Sequence, residues 1–250
     1  VDDHFQERVM DLTFDCTRDA NGRDPDSHSP TLRRLHQFFW SKELPSGRSL
    51  SLDIAGPKPF LVHQSDLGEF HLSSDSITHS YRNRSWAQPF LESLPESLQE
   101  RVSGWGWFIS ECIVFPGKRI NGMTTINGAR GMNAVIGDRF DLTLECIRRH
   151  YQGEPNPLDA ALLRYGKFFE LFEDFEGYVN FFLLNDLVDK RSGGVRFYLP
   201  FDNFLGSPYP HDAETYNIYL QRTMDFSKGR LARMMAWAAT NCADEAKLTE

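Results

Sequence analysis

Asp138-Arg139-Phe140-Asp141-Leu142-Thr143-Leu144-Glu145-Cys146-Ile147-Arg148-Arg149-His150-Tyr151 is the stretch from which the rest of the chain can be read. At about 100° per residue, Phe140, Leu144, Ile147 and Tyr151 fall on one stripe of a helix. Asp138, Asp141, Glu145, Arg148 and Arg149 fall on the opposite one. Leu142 and Cys146 lie beside the charged stripe, so that stripe is narrow. A plain surface helix has a broader polar face. The charges are therefore expected to line a cleft or to touch another element. The acids stand toward the N-terminal end and the bases toward the C-terminal end, which suits the helix dipole. Glu145 and Arg149 have i,i+4 spacing, so a structural ion pair fits them as well as a functional role.

Downstream the helical period continues. Asn156-Pro157 reads as a cap, followed by Leu158, Ala161, Leu162, Tyr165, Phe168, Phe169 and Phe172 on one face. Phe175, Tyr178, Val179 and Phe182 repeat the pattern. Val195 to Leu199 alternates like a late strand. Asp212 is expected to cap a last helix, interrupted at Gly229 and ending near Asn241.

Upstream the pattern is strand-like. Met10 to Cys16, Leu50 to Ile54, Phe60 to His63, Glu69 to Ser73 and Trp105 to Phe115 alternate or run apolar. Gly56-Pro57-Lys58-Pro59 marks a turn. Asn121-Gly122 is a hairpin signal, with Met123 to Ile126 expected to pair back. Two helices interrupt the strands, one from Pro30 behind the cap Ser29 and one from Pro95 to about Gly104. The expected fold is α+β: a mostly antiparallel sheet from residues 1–126 and one late strand, against a helical half, 127–250. The two halves are expected to share one core as a single domain, 1–250.

With 27 Lys+Arg against 35 Asp+Glu, the chain carries a net charge of −8. Such a surface disfavours non-specific nucleic-acid binding and leaves only a local basic groove for it. Trp40, Trp86, Trp105 and Trp107 are assigned to core packing rather than base stacking. The four cysteines form no C-x-x-C pair, and Cys16, Cys112 and Cys146, set among apolar residues, are expected to be reduced and structural, which suggests a cytoplasmic home. Val1-Asp2-Asp3-His4 carries no signal pattern, and no apolar run reaches 18 residues, so no membrane association is expected. The eight histidines make no metal-binding spacing, and no metal is expected. No motif implies a particular cofactor.

Asp24-Pro25-Asp26-Ser27-His28-Ser29-Pro30-Thr31-Leu32-Arg33-Arg34, the segment from Asn127 to Tyr151, and Phe172 to Leu184 carry a resemblance. In residues 24–47, 125–151 and 168–188 the chain resembles a bacterial protein family of unknown function. The likeness runs nearly the whole length and implies no activity, cofactor or catalytic residue.

Asn127-Gly128-Ala129-Arg130-Gly131 places backbone N–H groups and a guanidinium where a helix begins, an arrangement that suits an anion. Residues 118 to 151 hold six Lys/Arg against three Asp/Glu, which favours the same ligand. Glu111 shares the parity of Trp107, Ile109 and Ile113, which would desolvate its carboxyl and suit it to proton transfer; pairing with an arginine, or a bulge that turns it outward, is the simpler alternative. Asp24 to His28 fits a cation site and capping or turn chemistry equally well, and Ser73-Ser74-Asp75-Ser76 is assigned to a polar turn.

The resulting expectation is a protein that binds or processes a small phosphate- or nucleotide-like anion at an Arg/carboxylate cleft. Asn127 and Arg130 would grip the anion, and Arg139, Arg148 or Arg149 would stabilise charge. Asp141, Glu145 or Glu111 would move protons. The competing expectation is an interaction module whose ion pairs are structural and whose surface docks a protein partner.

Overall fold

A computed structural model describes residues 10–55 and 59–245. The expected turn at Gly56 to Pro59 falls largely outside them. The architecture is α+β, with a three-stranded antiparallel sheet in the N-terminal half and a helical C-terminal half. The sheet order is β1 (Leu61–Ser65), β2 (Gly68–Ser76), β3 (Cys112–Pro116). β2 is central and pairs Leu61 with Leu72 on one side and Asp75 with Ile113 on the other. Because side chains alternate along a strand, β2 sends Ser74 to one face and Asp75 to the other.

The Ser74 face meets α1 (Pro25–His28) and α2 (Pro30–Trp40). Ser29 caps α2 as expected, its hydroxyl accepting from the Leu32 N–H at 3.0 Å. Next come the short helices α3 (Gln88–Glu92) and α4 (Glu96–Ser103), the latter entered from Pro95 and closed at Gly104. The Asp75 face meets α5 (Ile126–Met132) and α6 (Phe140–Gln152). Gly153, in the left-handed conformation at φ 69°, ends α6.

Several expected elements give way to side-chain chemistry. Met10 to Cys16 is not a strand: the Asp11 carboxylate turns back onto the N–H and hydroxyl of Thr13, and Asp15 caps a 3-10 turn at Cys16–Asp19. Leu50 to Ile54 forms only the isolated bridge between Asp53 and Val62. There α2 takes the carbonyls a neighbouring strand would use, with Gln37 donating to Leu52 O and Arg33 to Ile54 O. Trp105 to Glu111 is loop and 3-10 turn, and the strand starts at Cys112. Asn121 and Gly122 take positive φ as a turn, but no strand follows, because Thr125 caps α5 through the Gly128 N–H.

The long helix expected after Asn156 is split into α7 (Asp159–Arg164) and α8 (Gly166–Glu170), followed by α9 (Phe175–Phe181). The late strand is present as a single antiparallel bridge, Val188 with Val195. Beyond it the Asp141 carboxylate takes the Tyr198 N–H at 2.8 Å. The last helix, α10 (Ala213–Glu245), runs without a break through Gly229. A Cβ at Gly229 would stand 2.9 Å from the Asp186 carboxylate carbon, so the glycine admits the Asp186–Arg233 ion pair rather than ending the helix.

The buried hydrophobic side chains form one cluster that draws on the sheet, α2, α6, α8, α9 and α10. Cys16, Cys112 and Cys146 are buried and free. Among the described residues no helix is long and apolar enough to cross a membrane.

Candidate functional site

The expected site residues separate into four places. Arg139 and Asp141 form a buried bidentate pair at the start of α6. Arg139 also donates to Pro208 O at 2.9 Å and Asp141 accepts from Tyr198, so the pair anchors the 198–208 loop. Glu145 is buried under Arg148 and Arg149, which bond it at 2.7 and 2.8 Å. Burial alone would raise its carboxyl, yet those two guanidinium groups hold it below the usual range. Arg149 reaches on to Asn203 and stacks over Phe204. Each of these charges has its partner within the chain.

Glu111 borders a separate cleft with Arg101, Ser227 and Lys228. Its carboxylate accepts from the Ser227 hydroxyl at 2.9 Å, and burial pushes it up to about 7. The 3-10 turn, not strand parity, places it there.

Asn127 and Arg130 stay together on α5 against β2. Asn127 donates to Ser73 Oγ and Ser74 O, both at 3.3 Å. Arg130 is 0% exposed. Its guanidinium bonds Asp75, lies 3.4 Å from Asp138 Oδ1 and donates to Thr143 Oγ1 at 3.1 Å. The rings of Phe115 and Phe140 flank it, each centroid 5.6 Å away. The anion it grips is therefore the chain's own pair of aspartates.

Those aspartates sit differently from the arginine. Asp75 is 24% and Asp138 30% exposed. Asp138 lies 3.2 Å from His79 Nε2 and adopts φ 60°, a left-handed turn that aspartate tolerates. His79 and Asp138 open onto a recess of about 230 Å³, lined also by Ser76, Thr78, Arg84, Trp105 and Trp107. The recess wall from 77 to 81 is fixed by backbone carbonyls. Tyr216 donates to Ser80 O at 2.6 Å and Tyr219 to His79 O at 2.8 Å, so α10 holds the wall from behind. Trp107 is clipped by the 15–16 loop, its N–H on the Asp15 carboxylate and its carbonyl taking the Cys16 N–H. Trp105 and Trp107, like Trp86, are half-buried and packed against the core, and the first two also line the recess, whereas Trp40 is fully buried.

Burial pushes Asp75 up to about 7, helped by the neighbouring Asp138 and Asp26 carboxylates and opposed by Arg130. Across β2, Asp26 is pushed up to about 6 by burial while accepting from Ser74 Oγ at 2.5 Å. Ser74 in turn meets His36 Nε2 at 2.9 Å, and Trp40 Nε1 donates to His36 Nδ1 at 2.9 Å. Trp40 fixes the tautomer, so His36 donates to Ser74 and Ser74 donates to Asp26. Burial drives His36 down to about 3, so the ring stays neutral.

The sequence leaves Asp26 between capping and a cation site, assigns Ser74 and Asp75 to a turn and Asp138 to the charged helix face, and gives His79 no role beyond a spacing that suits no metal. The only local signal for them was polarity inside otherwise structured segments. Among the described residues no group of three or more His, Cys, Asp or Glu could hold a metal ion.

The Asp75 shift yields a measurable pH effect. A carboxyl raised in the folded state adds stability below its unfolded value near 4, and that stability is lost as pH climbs to about 7. Relative to Asp75→Asn, the wild-type chain should lose about 2–4 kcal/mol between pH 4 and 7 and stay level above that. Urea unfolding of both proteins across that range checks it. Parallel stability curves would show that Asp75 titrates as in water.

The family model described as "Family of unknown function (DUF6994)" matches residues 10–234. No curated protein and no solved structure matches the chain.

Proposed function

The chain belongs to the DUF6994 family, of unknown function, and from its geometry we propose that the recess at Asp138 binds a small hydroxyl-bearing ligand. The observation that carries this reading is the His79–Asp138 pair on the cavity lining, with Asp138 held from behind by the buried Arg130 that also pairs with Asp75. Trp105 and Trp107 offer flat apolar walls, and Ser76, Thr78 and Asn83 line the same space with hydroxyl and amide groups. Flat apolar surface with a few convergent polar groups suits a sugar- or nucleoside-like molecule. The volume limits the guest to something small.

The phosphate-like ligand is the second reading, favoured by Arg84 and His79 on the recess lining. It is weaker at Arg130, whose charge is already met. The interaction-module reading draws on exposed Met123, Met132 and Leu163, and on the ion pairs of Arg139 and Glu145, which are satisfied internally.

A thermal-shift screen with monosaccharides, nucleosides and inorganic phosphate at pH 7 tests the proposal. A bound hydroxylated ligand at about 100 times its Kd should stabilise the wild-type protein by about 2.7 kcal/mol. The shift should vanish in Trp105→Ala and in Asp138→Asn. A response to phosphate alone would favour the second reading. Silence from every sugar and nucleoside would end the first.

A further inference from the structure

The anion expected at Arg130 has a better host elsewhere in the fold. Where the β1–β2 hairpin meets the end of β3 and the α7–α8 turn, a cavity of about 360 Å³ opens. Its rim carries Lys118, Arg119, Arg164 and Lys167. Among the described residues none of these four has a carboxylate within ion-pair distance. Glu69 is the one acidic residue on the lining, and His71 and Gln64 already hold it. Four unneutralised cations around one hollow are unexpected in a chain of net charge −8, since they repel each other.

The floor is apolar. Phe70 meets Phe168 edge-on at 6.3 Å, with Ile120, Pro116, Leu67 and the Tyr165 ring around them. The Tyr165 hydroxyl donates to Lys118 O at 2.9 Å, which ties the basic loop to the α7–α8 turn. Arg164 Nη1 donates to Thr124 O at 2.7 Å, so its guanidinium is held in place instead of sweeping through solvent. His71 also lines the cavity, its Nε2 bonded to the Glu69 carboxylate.

We infer that this cavity is a second binding site, distinct from the Asp138 recess, for a small anion bearing an aromatic or short aliphatic body. The charged group would sit among Lys118, Arg164 and Lys167, and the apolar body would lie on Phe70 and Phe168. The volume falls in the range of small-molecule pockets. Neither half of the ligand suffices: the cations alone are screened by salt, and the floor alone gives no selectivity.

Isothermal titration of the whole chain with phenyl phosphate tests the inference, with inorganic phosphate and benzyl alcohol as partial ligands. Phenyl phosphate should bind saturably, more tightly than either partial ligand, and more weakly as salt rises. Lys118→Gln combined with Lys167→Gln removes two exposed charges and should weaken binding about 10-fold or more. Phe70→Ser should bring the affinity for phenyl phosphate down to that for inorganic phosphate. Absence of saturable binding to the wild-type protein would overturn the site. Equal affinity in the double variant, or equal affinity for inorganic phosphate, would overturn it as well.

Discussion

Replacing Arg130 with Met should destabilise the protein by about 3–5 kcal/mol at pH 8, and by much less at pH 5. The guanidinium is fully buried between two phenylalanine rings and serves two carboxylates at once. Removing it strands Asp75 in protein surroundings. Already held near 7 with the arginine present, Asp75 would rise further without it, because Arg130 is the main group pulling it down. At pH 8 the folded variant must either keep an uncompensated carboxylate or take up a proton against the pH gradient. At pH 5 the carboxyl is protonated in the folded state anyway, and most of the penalty disappears.

Methionine fills much of the arginine's volume, so a packing defect alone would give a loss independent of pH. Adding Asp75→Asn to Arg130→Met should return part of the stability, since each change then removes the other's unpaired partner. Chemical denaturation of the four proteins at both pH values decides the matter. A single-variant loss that is equal at pH 5 and pH 8 would mean that the arginine is a spacer and not a counter-charge.

This pair also marks where local reading of the sequence stops. Ser29-Pro30 and the Phe140 to Tyr151 stripe were legible because caps and helical faces depend on residues a few positions apart. Arg130 was legible as a cation at a helix start, but its partner Asp75 stands 55 positions away on a strand taken for a turn. Nothing local distinguishes an aspartate that meets water from one that meets a buried arginine.

The missed strand at 50–54 has the same cause. Alternation at 10–16 and 50–54 is real, yet Asp11, Gln37 and Arg33 take the backbone groups that a sheet would have used. At 50–54 the competing side chains come from α2, and their positions become known only with the fold; at 10–16 the competitor is Asp11, two residues from the N–H it takes. Glu111 is a different case. Its desolvation was one of the readings, reached from the right neighbours by the wrong route, since a 3-10 turn does what strand parity was supposed to do.

Arg230 left no mark in the sequence reading at all, and its removal should cost as much as that of Arg130 with a different signature. It is fully buried on α10, and its donors reach only carbonyls: Phe182 O twice, at 3.2 and 3.1 Å, Ser110 O at 3.0 Å and Cys112 O at 2.8 Å. The Trp40 indole lies beneath it at 5.6 Å. One side chain thus joins α10, the start of β3 and the end of α9. With no carboxylate at hand, burial pulls its pKa down to about 10, still far above neutrality.

The desolvation of a lone cation is worth several kcal/mol against folding. Four hydrogen bonds to a charged donor, at about 1.5–3 kcal/mol each, outweigh it. Arg230→Met removes the charge but leaves three carbonyls without donors, each costing about 1–3 kcal/mol. The expected loss is about 3–5 kcal/mol at pH 8 and only slightly smaller at pH 5, where the Lys42 ammonium that Arg230 repels is charged; no carboxylate pairs with this arginine. Arg230→Lys keeps the charge but cannot reach three carbonyls from one nitrogen, so it should recover less than half of the loss. Denaturation of both variants at the two pH values separates this arginine from Arg130. A methionine variant within about 1 kcal/mol of wild type would mean that those carbonyls find water, and that the junction of the three elements does not depend on the guanidinium.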